Sequence, residues 1–154
     1  MYSNDLICDI LEYINKNINK KVTIDELVNE FHFNRYYIMK LFKKELNISI
    51  INYINYKRIL KSINSLQDNN NNSILKIALD NGFTSQEYYT ETFKNVIGVN
   101  PSTYKMSLNN RMIAVKDSDL IVKNLIKIET TIEKINKYYH KRNPKETKSL
   151  SIFK

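Results

Sequence analysis

Tryptophan is absent from this 154-residue chain, and cysteine, glycine and proline nearly so, with one, two and two residues. A lone thiol, Cys8, excludes a disulfide framework and fits a reducing compartment. One cysteine and two histidines (His32 and His140) are too few ligands for an ordinary structural zinc site. So little glycine and proline argues against a turn-rich β protein. No apolar run nears the ~20 residues a membrane-spanning helix needs, so no membrane partner is expected. The opening MYSNDLICDILEYINK carries Asp5, Asp9 and Glu12 through its apolar part, unlike a secretory signal. Missing too are a Gly-rich phosphate loop, paired histidines beside a carboxylate, and a Ser or Cys nucleophile in a recognisable setting. The expectation is a non-enzyme with no catalytic residue, metal or cofactor. His32, between Phe31 and Phe33, and Cys8, on an apolar helix, read as structural.

Basic residues outnumber acidic ones, 24 to 16, for a formal charge of +8. The excess is uneven: residues 1–105 net +2 and residues 106–154 net +6. Such a balance suits nucleic acid or an anionic surface, and equally suits plain solubility. Asparagine and isoleucine, 22 of each, fit translation from an AT-rich genome.

Apolar spacing gives an all-α reading. Leu6, Ile7, Ile10, Leu11, Ile14 and Ile18 recur at three- and four-residue steps, one face of a helix. Thr23 and Glu26 form the pattern of a capping box, opening a short helix that runs to about Phe31. Asn34 caps the next, with Ile38, Leu41 and Phe42 inward. Ser49 starts a longer helix with Ile50, Tyr53, Ile54, Ile59, Ile63 and Leu66 on its apolar side. Asp68–Asn72 is a polar loop. Then come a short helix over 74–81, a turn at Gly82-Phe83, a helix over 86–97, and Asn100-Pro101 opening another.

The chain also resembles itself. At a shift of 50, Ile24 meets Ile74, Leu27 meets Ile77 and Phe33 meets Phe83; after one inserted residue, Asn34 meets Ser85, Tyr37 meets Tyr88, Phe42 meets Phe93 and Lys43 meets Lys94. Asn47 meets Gly98, both tolerant of a left-handed backbone after a helix. A unit of short helix, tight turn and longer helix thus occurs twice, about 23–46 and 74–97, joined by a helix over about 49–67. Two short helices across a tight turn form the helix-turn-helix arrangement, whose second helix can enter a DNA major groove; a bare helical-hairpin duplication is the plainer alternative.

Residues 82–105, GFTSQEYYTETFKNVIGVNPSTYK, resemble the signature of AraC/XylS-type bacterial transcription regulators, roughly G-F-x-S/D-x-x-Y-F-x-R-x-F-K-x-x-x-G-x-x-P-x-x-Y-R. Residues 33–44, FNRYYIMKLFKK, resemble that family's first recognition helix, and Lys57-Arg58-Ile59 falls where its linker helix carries an R-L or similar pair. The resemblance spans about residues 3–106. It implies a domain of about seven helices over 1–106, with two recognition helices entering successive major grooves of double-stranded promoter DNA. It also implies an activator that recruits RNA polymerase, in a bacterial cytoplasm and on the nucleoid when bound.

Helical spacing picks out the candidate contacts. On the first recognition helix, Tyr36, Met39, Lys40 and Lys43 share the outward face. Tyr36 is placed to stack on a base or sugar edge and Met39 to touch a thymine methyl. Lys40 matches a family arginine that reads guanine or phosphate, though an ammonium lacks bidentate geometry. On the second helix Glu87, Tyr88 and Glu91 are the base-contacting candidates. Arg35, Lys43, Lys44, Gln86 and Lys94 are candidates for phosphate contact, which positions without reading sequence. One departure is clear: Glu91 stands where the family has arginine. Residues 34–46 net +3 whereas residues 85–97 net −1. The competing function is therefore a helical adaptor or antagonist whose acidic second unit reads no DNA. The linker helix spans ~27 Å, against the ~34 Å between grooves one turn apart, and the widths of the two units supply the rest.

Residues 107–154 form an extension outside the resemblance. Ile121, Leu125, Ile128, Ile132, Ile135 and Tyr139 make a heptad stripe on an amphipathic helix over about 118–140, followed from Lys141 by a basic tail. The stripe leaves three uses open: packing on the helical domain, a homodimer through 118–140, or a partner such as RNA polymerase.

Overall fold

The computed structural model describes residues 2–68, 71–108 and 115–144. These form eight helices and no strand: α1 (Tyr2–Lys16), α2 (Ile24–Phe31), α3 (Arg35–Leu46), α4 (Ile50–Gln67), α5 (Ile74–Asp80), α6 (Gln86–Ile97), α7 (Pro101–Leu108) and α8 (Val115–Arg142). Asn69 and Asn70 of the polar loop, and the expected basic tail beyond Pro144, lie outside the described residues. Lys141 and Arg142 belong to the last turn of α8, not to the tail.

Side-chain caps start the helices. At α2 the Thr23 hydroxyl accepts from Glu26 N (3.2 Å) while Thr23 N donates to the Glu26 carboxylate (2.9 Å), the reciprocal pair the sequence announces. Asn34, Ser49, Ser73 and Ser85 cap α3, α4, α5 and α6, each accepting from amides in the first turn. The exits of α2, α3 and α6 are left-handed, at His32 (φ 59°), Asn47 (φ 57°) and Gly98 (φ 103°). His32, read from the sequence as structural, is the exposed C-cap of α2.

The pairs α2–α3 and α5–α6 each pack against α4, whose Tyr53, Ile59, Ile63 and Leu66 are buried between them. Tyr53 and Tyr104, at equivalent places after the two units, are both buried. The junction is polar and specific. Arg58 of α4 donates through Nε to the carbonyl of Ile18 (3.0 Å) and through Nη2 to that of Lys20 (2.6 Å), with its guanidinium over the Phe83 ring. Gly82 closes the α5–α6 turn here at φ 87°. A Cβ at that position would lie 2.5 Å from the Ile18 carbonyl and 2.8 Å from Arg58 Nε, so the close approach demands glycine.

α8 uses its stripe inside the chain. Ile121, Ile128, Ile132, Ile135 and Tyr139 are buried and Leu125 is half-buried, against α1 and α6. At one end Asn124 Nδ2 donates to the carbonyl of Ile97 (2.8 Å), and Leu120 lies against Gly98. At the other the Tyr139 hydroxyl donates to the Glu12 carboxylate, while Tyr138 sits beside Glu45 of α3 and Cys8 of α1. The apolar face that the sequence offered for a homodimer through 118–140 is therefore occupied within the chain.

Candidate nucleic-acid interface

On α3 the buried face is Ile38, Leu41 and Phe42, as the helical period requires. Turned away from it, Tyr36 is 70% exposed, and Met39, Lys40, Lys43 and Lys44 are exposed too. The Lys40 ammonium lies 5.5 Å from the centre of the Tyr36 ring, a cation–π contact that bundles a flat stacking surface with a positive charge. Arg35, in the first turn, pairs with Asp25 of α2 at 2.8 Å. Both partners are exposed, so the pair holds weakly and a phosphate can replace the carboxylate.

On α6, Tyr89, Thr92, Phe93 and Ile97 are buried, and Gln86, Glu87, Tyr88, Glu91 and Lys94 are exposed. Tyr88 differs from its neighbours in direction. Its hydroxyl meets the Asn55 amide of α4, which donates to it at 3.1 Å, and its ring leans on Phe83 (5.8 Å between centres). That anchoring holds the first turn of α6 against the linker helix. Arg35 and Tyr88, near the leading ends of α3 and α6, line one open cleft of about 270 Å³ over α4, together with Thr23, Ile51 and Asn55. The two longer helices of the repeat thus border a common depression.

Three further side chains at this surface escape the sequence reading. Phe33 and Tyr37 are exposed and stack on each other (5.5 Å, 22° between planes), adding an aromatic pair to the exposed ring of Tyr36. Their i, i+4 spacing was the available signal. The repeat misleads here, because the partner of Phe33 is Phe83, which is buried. Asn55 is visible only through its distant contact with Tyr88.

A buried cation lies behind this surface. Burial lowers the Lys57 ammonium to about 7, the nearby charge of Lys61 adding to the effect. Among the described residues, no group of His, Cys, Asp or Glu side chains converges as a metal site would need, and no helix is long and apolar enough to cross a membrane.

Comparison with known proteins agrees with this geometry. A family model described as a helix-turn-helix domain matches residues 27–107. The Transposon Tn10 TetD protein of Escherichia coli is 31% identical over 104 residues, which cover 68% of this chain and 75% of that protein. The HTH-type transcriptional activator AarP of Providencia stuartii is 26% identical over 106 residues, 69% of this chain and 78% of the relative. Among solved structures, the C-terminal domain of the response regulator AraT from Geobacillus stearothermophilus superposes with a TM-score of 0.59 at 27% identity, covering 71% of this chain and 88% of that one. The exposed polar faces, the duplicated unit and these likenesses lead to one conclusion: the chain belongs to the AraC-type helix-turn-helix family of DNA-binding transcription regulators.

Proposed function

We propose that this regulator binds promoter DNA as a single chain, laying α3 and α6 into successive major grooves and contributing unequally through the two. The observation that carries this is the contrast between the outer faces of α3 and α6: Lys40, Lys43 and Lys44 beside an exposed Tyr36 on one, Glu87 and Glu91 on the other. The first unit supplies most of the affinity. Lys43 and Lys44, with Arg35 released from Asp25, hold phosphates, and Tyr36, Met39 and Lys40 meet base edges. In the second unit Gln86 and Lys94 touch the backbone. Glu91, with Glu87, reads bases, while Tyr88, a base-contacting candidate from the sequence, instead braces α6 against Asn55 of the linker helix; a carboxylate accepts from the cytosine amino group, the one major-groove donor suited to it besides that of adenine. Likeness to a protein named a transcriptional activator supports activation, and recruitment of RNA polymerase is the route this reading assigns to it.

Selection of bound sequences from a random duplex pool tests this. A long asymmetric consensus, with one half richer in conserved positions, is expected. A palindrome would mean dimeric binding, and failure to enrich any sequence would remove the regulator reading. Binding of random duplex should weaken steeply with salt, as phosphate contacts demand; a helical adaptor would show little.

A further inference from the structure

We infer that α8 is a second, non-covalent strut that fixes the separation and mutual angle of the two recognition units, and that Leu120, Asn124 and Tyr139 are its positioning residues. The inference rests on the two-groove reading above and extends it to a helix beyond the matched residues 27–107. One end of α8 holds the second unit, and the other holds α1, which packs on α3 of the first. Leu120 and Asn124 grip the exit of α6, through Gly98 and the Ile97 carbonyl. Nineteen residues later, Tyr139 holds Glu12 of α1, next to Tyr138 at Glu45 in the last turn of α3. At the helical rise those anchors stand ~28 Å apart, close to the ~27 Å length of α4.

A unit pair joined by one helix can swing about it, and binding two grooves must then suppress that motion. A second member of matched length removes the swing beforehand, so less conformational freedom is lost when both grooves are engaged. The end contacts of α8 through Leu120, Asn124 and the Tyr139 hydroxyl are polar or edge-packed, while its middle is held by Ile128, Ile132 and Ile135. Loosening one end therefore frees the angle without emptying the core. Tyr36, Lys40 and Glu91, which face DNA, make none of these contacts.

The test uses the full chain, with Asn29→Cys and Asn95→Cys carrying spin labels at exposed positions of α2 and α6. Two variants detach opposite ends: Leu120→Ala with Asn124→Ala, and Tyr139→Phe with Glu12→Gln. Both keep the apolar stripe, and unchanged helical circular dichroism verifies the fold; Tyr139→Phe by itself is the mildest variant. Each double variant should broaden the inter-label distance distribution measured by pulsed electron spin resonance. On the selected site, affinity should fall roughly tenfold, as expected when two linked contacts lose their fixed geometry. The penalty for inserting one to five base pairs between half-sites should shrink, an effect that mere destabilisation would not produce. A distribution of unchanged width with an unchanged spacing profile in both double variants overturns the strut. Failure of the intact chain to bind any duplex would instead refute the two-groove reading, leaving the distance measurement to judge α8 on its own.

Discussion

At Glu91 an exposed carboxylate points out from α6 where the family pattern carries arginine, and the charge of the second unit turns on it. Glu91→Arg should strengthen binding to nonspecific duplex and steepen the salt dependence by ~0.9 in log–log slope for each phosphate engaged. Titration of binding against salt reads this directly, and an unchanged slope would place Glu91 away from the DNA. Lys57 offers a second residue-scale measurement. Its folded pKa of about 7 lies below the ordinary lysine value, so the unfolded chain binds the extra proton between these limits. Stability should rise with pH from 7 to 9, by up to about 1.4 kcal/mol per pH unit, and Lys57→Met should flatten the rise in urea unfolding curves. Above that window buried tyrosines oppose it: Tyr89 is pushed up to about 12 by burial, so its stabilisation is lost as pH rises from 10 through that value. The outward set on α3 was legible from period alone, because burial on a helix follows spacing. The burial of Lys57 and the hold of Asn55 on Tyr88 depend on elements far away in the chain and leave no local mark.

Helix boundaries show how much local chemistry dictates. Thr23, Asn34, Ser49 and Ser85 each stand one residue before a helix, so the capping side chain announces the element before any tertiary contact exists. The exits are equally local, yet the repeated pair Asn47 and Gly98 differ in their surroundings. Asn47 is exposed, whereas a side chain at Gly98 would meet Leu120 at 2.6 Å. Asn47→Gly should change stability by less than about 1 kcal/mol. The mirror exchange Gly98→Asn should cost about 1–3 kcal/mol by overpacking against α8. Thermal unfolding of the two variants reads the asymmetry; equal costs would mean that α8 does not bear on this turn. The destination of α8 was not legible. A heptad stripe reports that a face must be covered but carries nothing about which chain covers it, and here α1 and α6 do so.

For the molecule as a whole, two probes on one chain and a spent apolar stripe make a second copy unnecessary. Sedimentation of the protein with a selected duplex should give one chain per site, and the free protein should run as a monomer. Two chains per site would instead point to a pairing surface other than the stripe. Two units around a linker helix could be inferred from the self-similarity of the sequence; the contacts that bear on their relation could not, since the hydrogen bonds of Arg58 and of α8 to other elements reach across 27 to 127 residues. Arg58 also limits how far the molecule can be trimmed. The two carbonyls that accept hydrogen bonds from its guanidinium belong to Ile18 and Lys20, upstream of the span that marks the family. A fragment excised at residue 27 would keep the cation and discard its acceptors, leaving a hollow keystone between the repeats, so the minimal working piece of this protein must begin well before its recognisable motif.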